Sequence, residues 1–257
     1  QLAALNLGRT SQDFLLWATQ EFNAINLASP YVQVSSIMPQ KRNPVSIEHT
    51  RSLLSSVYGD ASTVLQMIHN TPFGDIVDTE DDMQPYLWRA MEKLRGIYKL
   101  FGSVVVTMDV NKEKLLKRAE NSFANVTELA DSLVRSENIS FRQSHRIVSS
   151  CVKTLLKSKE ESLEKLTWEL ANEKSIEVTG KPLKISKEEF YKVLKPEFFV
   201  HVRSLTGGPA PETMRNSLIQ AQAISPLLEN WVKGKTTHLQ NCEKQLYEFL
   251  EGWNKND

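Results

Sequence analysis

The segment from residue 87 to residue 108 reads LWRAMEKLRGIYKLFGSVVVTM, and it decides the fold class. Its large apolar residues recur with alternating spacings of four and three; they are Leu87, Met91, Leu94, Tyr98, Phe101, Val105 and Met108. These spacings place side chains on one face of an α-helix, in a seam that packs lengthwise against other helices. The segment therefore predicts a long helix in the core of an all-α bundle.

Two upstream segments carry the same kind of apolar face. Residues 2–27 present Leu7, Phe14, Ala18, Phe22 and Ile25, and residues 44–69 present Ile47, Leu54, Val57, Ala61, Val64 and Ile68. We expect three long helices joined by loops, and we assign residues 1–110 to part of a central helical bundle. A seam of about 24 residues is about 36 Å long. Three helices cannot cover that much apolar face, so we expect partner helices.

Downstream of Met108 the apolar pattern shortens, which predicts a C-terminal helical domain over residues 111–257. We predict helices at 112–120, 125–136, 141–158, 161–173 and 187–194, with capping boxes at Ser140 and Ser186. Residues 176–178 and 183–185 predict a short β-hairpin across the Gly180 turn. From Pro211 to the end a long apolar stripe predicts a terminal helix interrupted at Pro226 and Gly234.

Composition argues against several classes of function. The 31 basic and 31 acidic residues cancel, so nucleic-acid binding has little electrostatic support. The apolar runs are too short to span a bilayer, so no membrane partner is expected. Two isolated cysteines favour a reducing, cytoplasmic compartment. The dispersed cysteines and histidines lack metal-ligand spacing, and we expect neither a metal nor a cofactor.

The loop from residue 35 to residue 44 reads SSIMPQKRNP and gathers groups that suit chemistry on a carboxylate. Ser35 or Ser36 is a candidate base, because backbone N–H groups and the Lys41 ammonium can stabilise an alkoxide. Lys41 and Asn43 can hold one carboxylate together, and their hold strengthens as charge develops on it during proton loss from the adjacent carbon. That pattern suits an elimination.

Glu48 lies one turn into the helix that follows the loop. A carboxylate there is placed to orient a histidine from another segment. The loop composition is also typical of a plain polar connection between helices, with solvated cations and capping serines. Residue types alone leave both interpretations open.

The loop resembles the signature loop of the fumarase/aspartase superfamily, Gly-Ser-Ser-x-Met-Pro-x-Lys-x-Asn-Pro. Residues 38–44 (MPQKRNP), 140–148 (SFRQSHRIV) and 207–215 (GGPAPETMR) resemble the argininosuccinate lyase branch in particular. The similarity runs across nearly the whole chain.

The resemblance implies a long-helix bundle and roles for four residues of the loop and for Glu48. Ser35 would be the catalytic base, Lys41 and Asn43 would bind the carboxylate and its aci form, and Ser36 would be a further substrate-binding residue. Glu48 would be the partner of the catalytic histidine. The resemblance also implies a homotetramer whose active sites combine residues of three chains.

The family takes its catalytic histidine from an earlier segment, which is not in this chain. The sequence begins at Gln1 in a helical pattern that has no start signal. We therefore expect the chain to be the C-terminal portion of a longer or split protein.

The chain departs from the family pattern in two places. Val34 stands where a glycine usually precedes the two serines, which should stiffen a mobile loop. Asp75, Glu80 and Met83 replace the Tyr, Gln and Lys that hold substrate in argininosuccinate lyases. An acidic pair at Asp75 and Glu80 would favour a cationic end of the substrate. The same acidic run is equally typical of a helix N-terminus.

Three functional hypotheses follow. The main one is a carbon–nitrogen lyase that eliminates an amine from an N-substituted aspartate, with argininosuccinate giving arginine and fumarate. The second keeps this chemistry and changes the small-molecule substrate to another N-substituted aspartate. The third is a non-catalytic, crystallin-like helical oligomer.

Overall fold

The computed structural model describes residues 1–34, 36–38, 40–160 and 162–253, except for the side chain of residue 253. Helices dominate, so the predicted all-α class is confirmed. The chain divides into two compact units, Gln1–Arg118 and Ala119–Asp257.

The first unit is built on three long helices. They are α1 (Leu2–Trp17), α2 (Val45–Met67) and α3 (Asp78–Thr107), and the division between the units falls within α4 (Lys112–Glu120). Their apolar faces meet in one core, formed by Ala4, Leu7, Leu54, Val57, Ala90, Ile97 and Phe101. Leu87, Met91, Tyr98 and Val105 of the predicted α3 seam stay exposed. Three helices therefore cover only part of that seam.

The helix predicted over residues 2–27 ends at Trp17. After Trp17 the chain turns, and Asn23 adopts a left-handed conformation at φ 44°. Strand β1 (Ile25–Asn26) then pairs antiparallel with β4 (Asp109–Val110). Because Ile25 and Leu27 are buried beside Ile47 and Val104, this segment uses its apolar residues in an extended conformation. The periodicity was compatible with a helix, but packing ends the helix earlier.

The second unit contains mostly short helices around its own core. They are α5 (Val126–Glu137), α6 (Phe141–Lys157), α7 (Trp168–Thr179), α8 (Lys187–Val193) and α9 (Pro196–His201). A 3₁₀ turn lies at Leu163–Lys165 in this unit, and another lies at Ser29–Tyr31 in the first unit. Leu129, Leu133, Ile147 and Phe190 are fully buried in the core. The predicted capping box at Ser140 is confirmed in both of its hydrogen bonds. The Ser186 hydroxyl accepts from Glu189 N–H.

The predicted hairpin of residues 176–178 with 183–185 is wrong. Residues 176–178 form the last turns of α7, which ends at Gly180 in the left-handed conformation. In residues 183–185, the backbone N–H groups donate to side-chain acceptors and not to a neighbouring strand. Glu137 accepts from the N–H groups of residues 184 and 185 at 2.8 and 2.9 Å, and Asn172 accepts from Leu183 N–H at 2.8 Å.

The terminal helix α10 (Pro211–Trp253) is continuous, so the predicted interruptions at Pro226 and Gly234 are wrong. A proline removes one backbone N–H donor from the helix, and a glycine weakens helix propensity by about 1 kcal/mol. The remaining hydrogen bonds of this 43-residue helix hold across both positions. In the described part of the chain, no helix is long and apolar enough to cross a membrane.

Candidate active site

The signature loop forms the end of a small β-hairpin between α1 and α2. Strand β2 (Gln33–Val34) pairs antiparallel with β3 (Arg42–Asn43), in a register that places residue 33 opposite 43 and residue 34 opposite 42. Ser36 is exposed in the loop between them. The candidate base Ser35 lies outside the described residues, as does Pro39. The departure at Val34 thus falls within β2, immediately before the loop.

The base of this hairpin is fixed to the core of the first unit. Arg42 Nη2 donates to the carbonyl oxygen of Leu27 at 3.0 Å, and Ser46 Oγ donates to the carbonyl oxygen of Tyr31 at 3.0 Å. Ile47, at the start of α2, is fully buried against Leu27. The residues on either side of the loop are therefore held in place by hydrogen bonds and by apolar packing.

Three of the predicted site residues line one cavity beside the hairpin. Lys41, Asn43 and Glu48 face a space of about 650 Å³ between the C-terminal end of α1 and the N-terminal end of α2. The exposed Lys41 and the half-buried Asn43 come from the hairpin, while Glu48 comes from the first turn of α2. A cavity of this size matches those that hold small metabolites.

The charges around this cavity favour an anionic ligand. Lys41, Arg42 and Arg51 contribute three cations, and Glu48 contributes the single carboxylate among the described lining residues. The positive end of the α2 helix dipole adds to this field. Such an excess of positive charge attracts carboxylates and stabilises negative charge that develops on them.

Glu48 has a free carboxylate within the described part of the chain. It makes no side-chain hydrogen bond or ion pair there, and no described histidine lines the cavity. The neighbouring His49 is exposed and is not among the residues that line the cavity. The predicted pairing of Glu48 with a histidine from another segment stays a prediction.

Asp75 and Glu80 lie far from this cavity. Asp75 is exposed in the connection between α2 and α3, and Glu80 is exposed in the first turn of α3. Both follow the C-terminal end of α2, whereas Lys41 and Asn43 precede its N-terminal end. Because α2 has 23 residues, the two sets are separated by about 34 Å along its axis. Within one chain, Asp75 and Glu80 therefore do not reach the cavity that Lys41 and Asn43 line.

The residues of α1 and α2 that complete the cavity were missed by sequence reasoning. Arg51 Nη1 donates to Gln12 Oε1 at 3.0 Å, and both side chains line the cavity. A signal for Arg51 was present, because it follows Glu48 by three residues and so lies on the same helix face. Nothing local pointed to Gln12. No group of three possible metal ligands occurs among the described residues.

Family models and known proteins give a consistent set of similarities. The model described as "Argininosuccinate lyase C-terminal" matches residues 123–201, and the model described as "Lyase" matches residues 1–59. Argininosuccinate lyase 2 of Agrobacterium fabrum is 38% identical over 245 residues, which cover 93% of this chain and 47% of that protein. Argininosuccinate lyase of Methanothermobacter thermautotrophicus is 35% identical, over 83% of this chain and 45% of that protein. The chain spans about half the length of the curated relatives it matches.

Solved structures share the fold. EDDS lyase in complex with formate superposes with a TM-score of 0.82 at 27% identity, over 95% of this chain and 48% of that chain. A class II fumarase from Schistosoma mansoni superposes with a TM-score of 0.53 at 22% identity, over 75% of this chain and 36% of that chain. The second similarity concerns the fold alone.

Proposed function

The chain belongs to the argininosuccinate lyase family, and on that premise we propose that it carries the signature loop of a carbon–nitrogen lyase. The reaction eliminates an amine from an N-substituted aspartate and leaves fumarate. Argininosuccinate, which gives arginine and fumarate, is the proposed substrate. The observation that carries this proposal is the single cavity lined by Lys41, Asn43 and Glu48 with an excess of cations.

The chemistry of the cavity fits an elimination beside a carboxylate. A base takes a proton from the carbon next to a carboxylate, and the electron pair moves into that carboxylate to give an aci form with a second negative charge. The Lys41 ammonium and the Asn43 amide stabilise this charge. The electron pair then forms the carbon–carbon double bond of fumarate, the carbon–nitrogen bond breaks, and the departing nitrogen takes up a proton.

The other residues have supporting roles in this proposal. Ser35 is the base, and Ser36 is a further contact to the substrate. Glu48 orients a histidine that another segment supplies, and such a pair can move protons at neutral pH. Arg51, held by Gln12, adds a cation to the wall of the cavity and favours the second carboxylate of the substrate.

A direct test measures fumarate release by the protein expressed from its natural gene. Lys41→Met removes the ammonium while keeping most of the side-chain volume, and Ser35→Ala removes the base. We expect Lys41→Met to lower kcat by about 10²–10³-fold, as for loss of one group that stabilises a developing oxyanion. Ser35→Ala should abolish turnover while the fold stays intact.

The matched control is Lys153→Met, because Lys153 is exposed on α6 and lies outside the cavity. It should leave kcat and KM unchanged. Turnover by Lys41→Met at the rate of this control would refute the assigned role of Lys41. Absence of fumarate from every candidate substrate would instead support the crystallin-like alternative.

We further propose that the functional unit is a homotetramer whose active sites combine residues of different copies. A small substrate cannot reach across the roughly 34 Å between the two ends of α2. If Asp75 and Glu80 hold the same substrate as Lys41, they must come from another copy. The exposed apolar residues of α3, which include Leu87, Met91 and Tyr98, supply a surface for such an assembly.

Mixed assemblies test this arrangement. Lys41→Met and Asp75→Arg should each inactivate an assembly of identical copies, the second by repelling a cationic end of the substrate. Co-expression of the two variants should restore part of the activity, because some sites then contain wild-type residues from both copies. No restoration in assemblies verified to be mixed would contradict shared sites.

A second candidate keeps the reaction and changes the leaving amine. The structural similarity to EDDS lyase favours it, and so do Asp75, Glu80 and Met83, at positions where the family pattern has other residues. A panel of N-substituted aspartates would be compared by kcat/KM for fumarate release. A clear preference for argininosuccinate would dismiss this candidate.

A further inference from the structure

Helix α10 carries an apolar seam on the C-terminal side of Pro226. We define the α10 seam as Leu228, Val232, Lys235, Leu239, Cys242 and Leu246. Their spacings alternate between four and three, which is the pattern of a coiled coil. The apolar members are exposed, with Leu239 at 68% and Leu228 at 60%. No residue in the described part of the chain covers them.

The seam matches a second copy of itself in the antiparallel direction. We place a two-fold axis perpendicular to the paired helices at the level of Thr237. Leu228 of one copy then lies opposite Leu246 of the other, and Val232 lies opposite Cys242. Lys235 then meets Leu239. Every layer pairs one seam residue with another, so one register covers the seams of both copies.

The charged member of the seam selects this direction. In a parallel pair Lys235 would lie beside Lys235 of the second copy, and two like charges would share a desolvated layer at a high cost. In the antiparallel pair Glu243 of the second copy arrives at the level of Trp231. The Lys235 Nζ already lies 6.0 Å from the centre of the Trp231 ring, on that same turn. The two opposite charges are thereby brought within reach of each other.

The surface is large enough for a specific contact. Burying one apolar side chain of this size removes on the order of 100 Å² from water. Five apolar seam residues and the adjacent Trp231, which is 63% exposed, then give about 600 Å² for each copy. The total of about 1,200 Å² lies at the lower end of stable, specific interfaces. We therefore propose that the α10 seam pairs antiparallel with the α10 seam of a second copy of this chain.

Disulfide formation tests the contact and its direction in the protein expressed from its natural gene. In the antiparallel register Val232→Cys faces the native Cys242 of the second copy, and mild oxidation should link copies on a non-reducing gel. In wild type the two Cys242 residues lie about 15 Å apart along the axis, beyond the span of a disulfide. Cys151 is fully buried, and burial raises the pKa of its thiol to about 12, so it stays unreactive.

The matched control is Thr237→Cys in a Cys242→Ser background. Thr237 lies on the axis at the same level in both copies but on the outer face of the helix, so it should not form the link. Leu239→Arg in the Val232→Cys protein should lower linked product at least tenfold by placing a charge in the seam. Leu239 is largely exposed within the chain, so helical content by circular dichroism should not change.

Three results would overturn the proposal. Linking by wild-type Cys242 alone would indicate a parallel pair. Absence of linking by Val232→Cys would mean that another segment or another protein covers the seam, or that it stays in solvent. Equal linking by Thr237→Cys would indicate random collision. None of these results bears on the proposed lyase reaction, since the assay for fumarate is independent of α10 linking.

Discussion

Replacing Asp60 by asparagine removes the carboxylate that joins α2 to α3. Asp60 accepts hydrogen bonds from Arg89 Nε at 3.0 Å and from Lys93 Nζ at 3.2 Å, and Arg89 Nη2 donates to its second oxygen. Lys93 also donates to Ser56 Oγ at 2.6 Å. Asp60 itself is only 7% exposed. The ion pair therefore fixes the register of the two helices whose ends carry the candidate site residues.

The pKa of Asp60 sets the size of the effect. The hydrogen bond from Arg89 lowers this pKa from 3.8 to about 2, with a smaller contribution from Lys93 and against the opposing effect of burial. Such a pKa corresponds to about 2 kcal/mol of stability at neutral pH, at about 1.4 kcal/mol per pH unit. The Arg89 side chain is 51% exposed, so solvent screens the pair, and we expect Asp60→Asn to cost about 1 kcal/mol.

The stabilisation that Asp60 provides should decrease as the pH falls. Because the pKa of Asp60 is lower in the folded protein, its stabilising contribution is fully present above about pH 4. The contribution is lost as the pH falls from about 4 towards 2, where the folded protein takes up the proton. The Asp60→Asn protein should lack this part of the acid dependence.

Urea unfolding followed by circular dichroism between pH 7 and pH 3 measures the free energy of unfolding. Asp13→Asn is the matched control, because Asp13 is exposed on α1 and forms no ion pair among the described residues. The difference between wild type and Asp60→Asn should shrink as the pH falls, while the control should follow wild type. A difference that stays constant with pH would refute the ion-pair reasoning.

Four further changes should affect stability by amounts that thermal unfolding can measure. Glu128→Ala should cost about 3 kcal/mol, because it removes the buried carboxylate that pairs with both Arg135 and Arg203; the exposed Glu164→Ala should cost almost nothing. Ser140→Ala should cost about 1 kcal/mol by removing the hydroxyl that accepts a hydrogen bond from Gln143 N–H in the α6 capping box. Gly180→Ala should destabilise by about 1–2 kcal/mol through its positive φ alone, since nothing lies near the added carbon. Gly234→Ala, inside α10, should stabilise by up to about 1 kcal/mol.

Patterns within single elements were predictable because their causes are local. Helical periodicity located α2 and α3, and the capping box at Ser140 marked the start of α6. The prediction of secondary structure was wrong where side chains distant in sequence accept the hydrogen bonds that a strand would otherwise make. The segment after Gly180 has the alternation of a strand, yet the carboxylate of Glu137 accepts its N–H groups.

In the candidate site too, residues within one local motif were predicted, whereas residues brought in by packing between helices were not. The loop motif located Lys41 and Asn43, since an ammonium and an amide two residues apart form a recognisable anion-binding pattern. Helix spacing placed Glu48 on the following turn. Gln12 and Arg51 were not predicted, because their contribution depends on α1 crossing the start of α2.

The amino-acid sequence by itself determined the helical class, the family and the residue types of the signature loop, because these depend on side-chain chemistry and spacing along the chain. Only the tertiary structure decided that Lys41, Asn43 and Glu48 share a cavity while Asp75 and Glu80 lie at the far end of α2. It also decided which apolar faces stay open on α3 and α10. The physical reason is that cavities and uncovered surfaces depend on packing between elements distant in sequence, which the periodicity of one element does not specify.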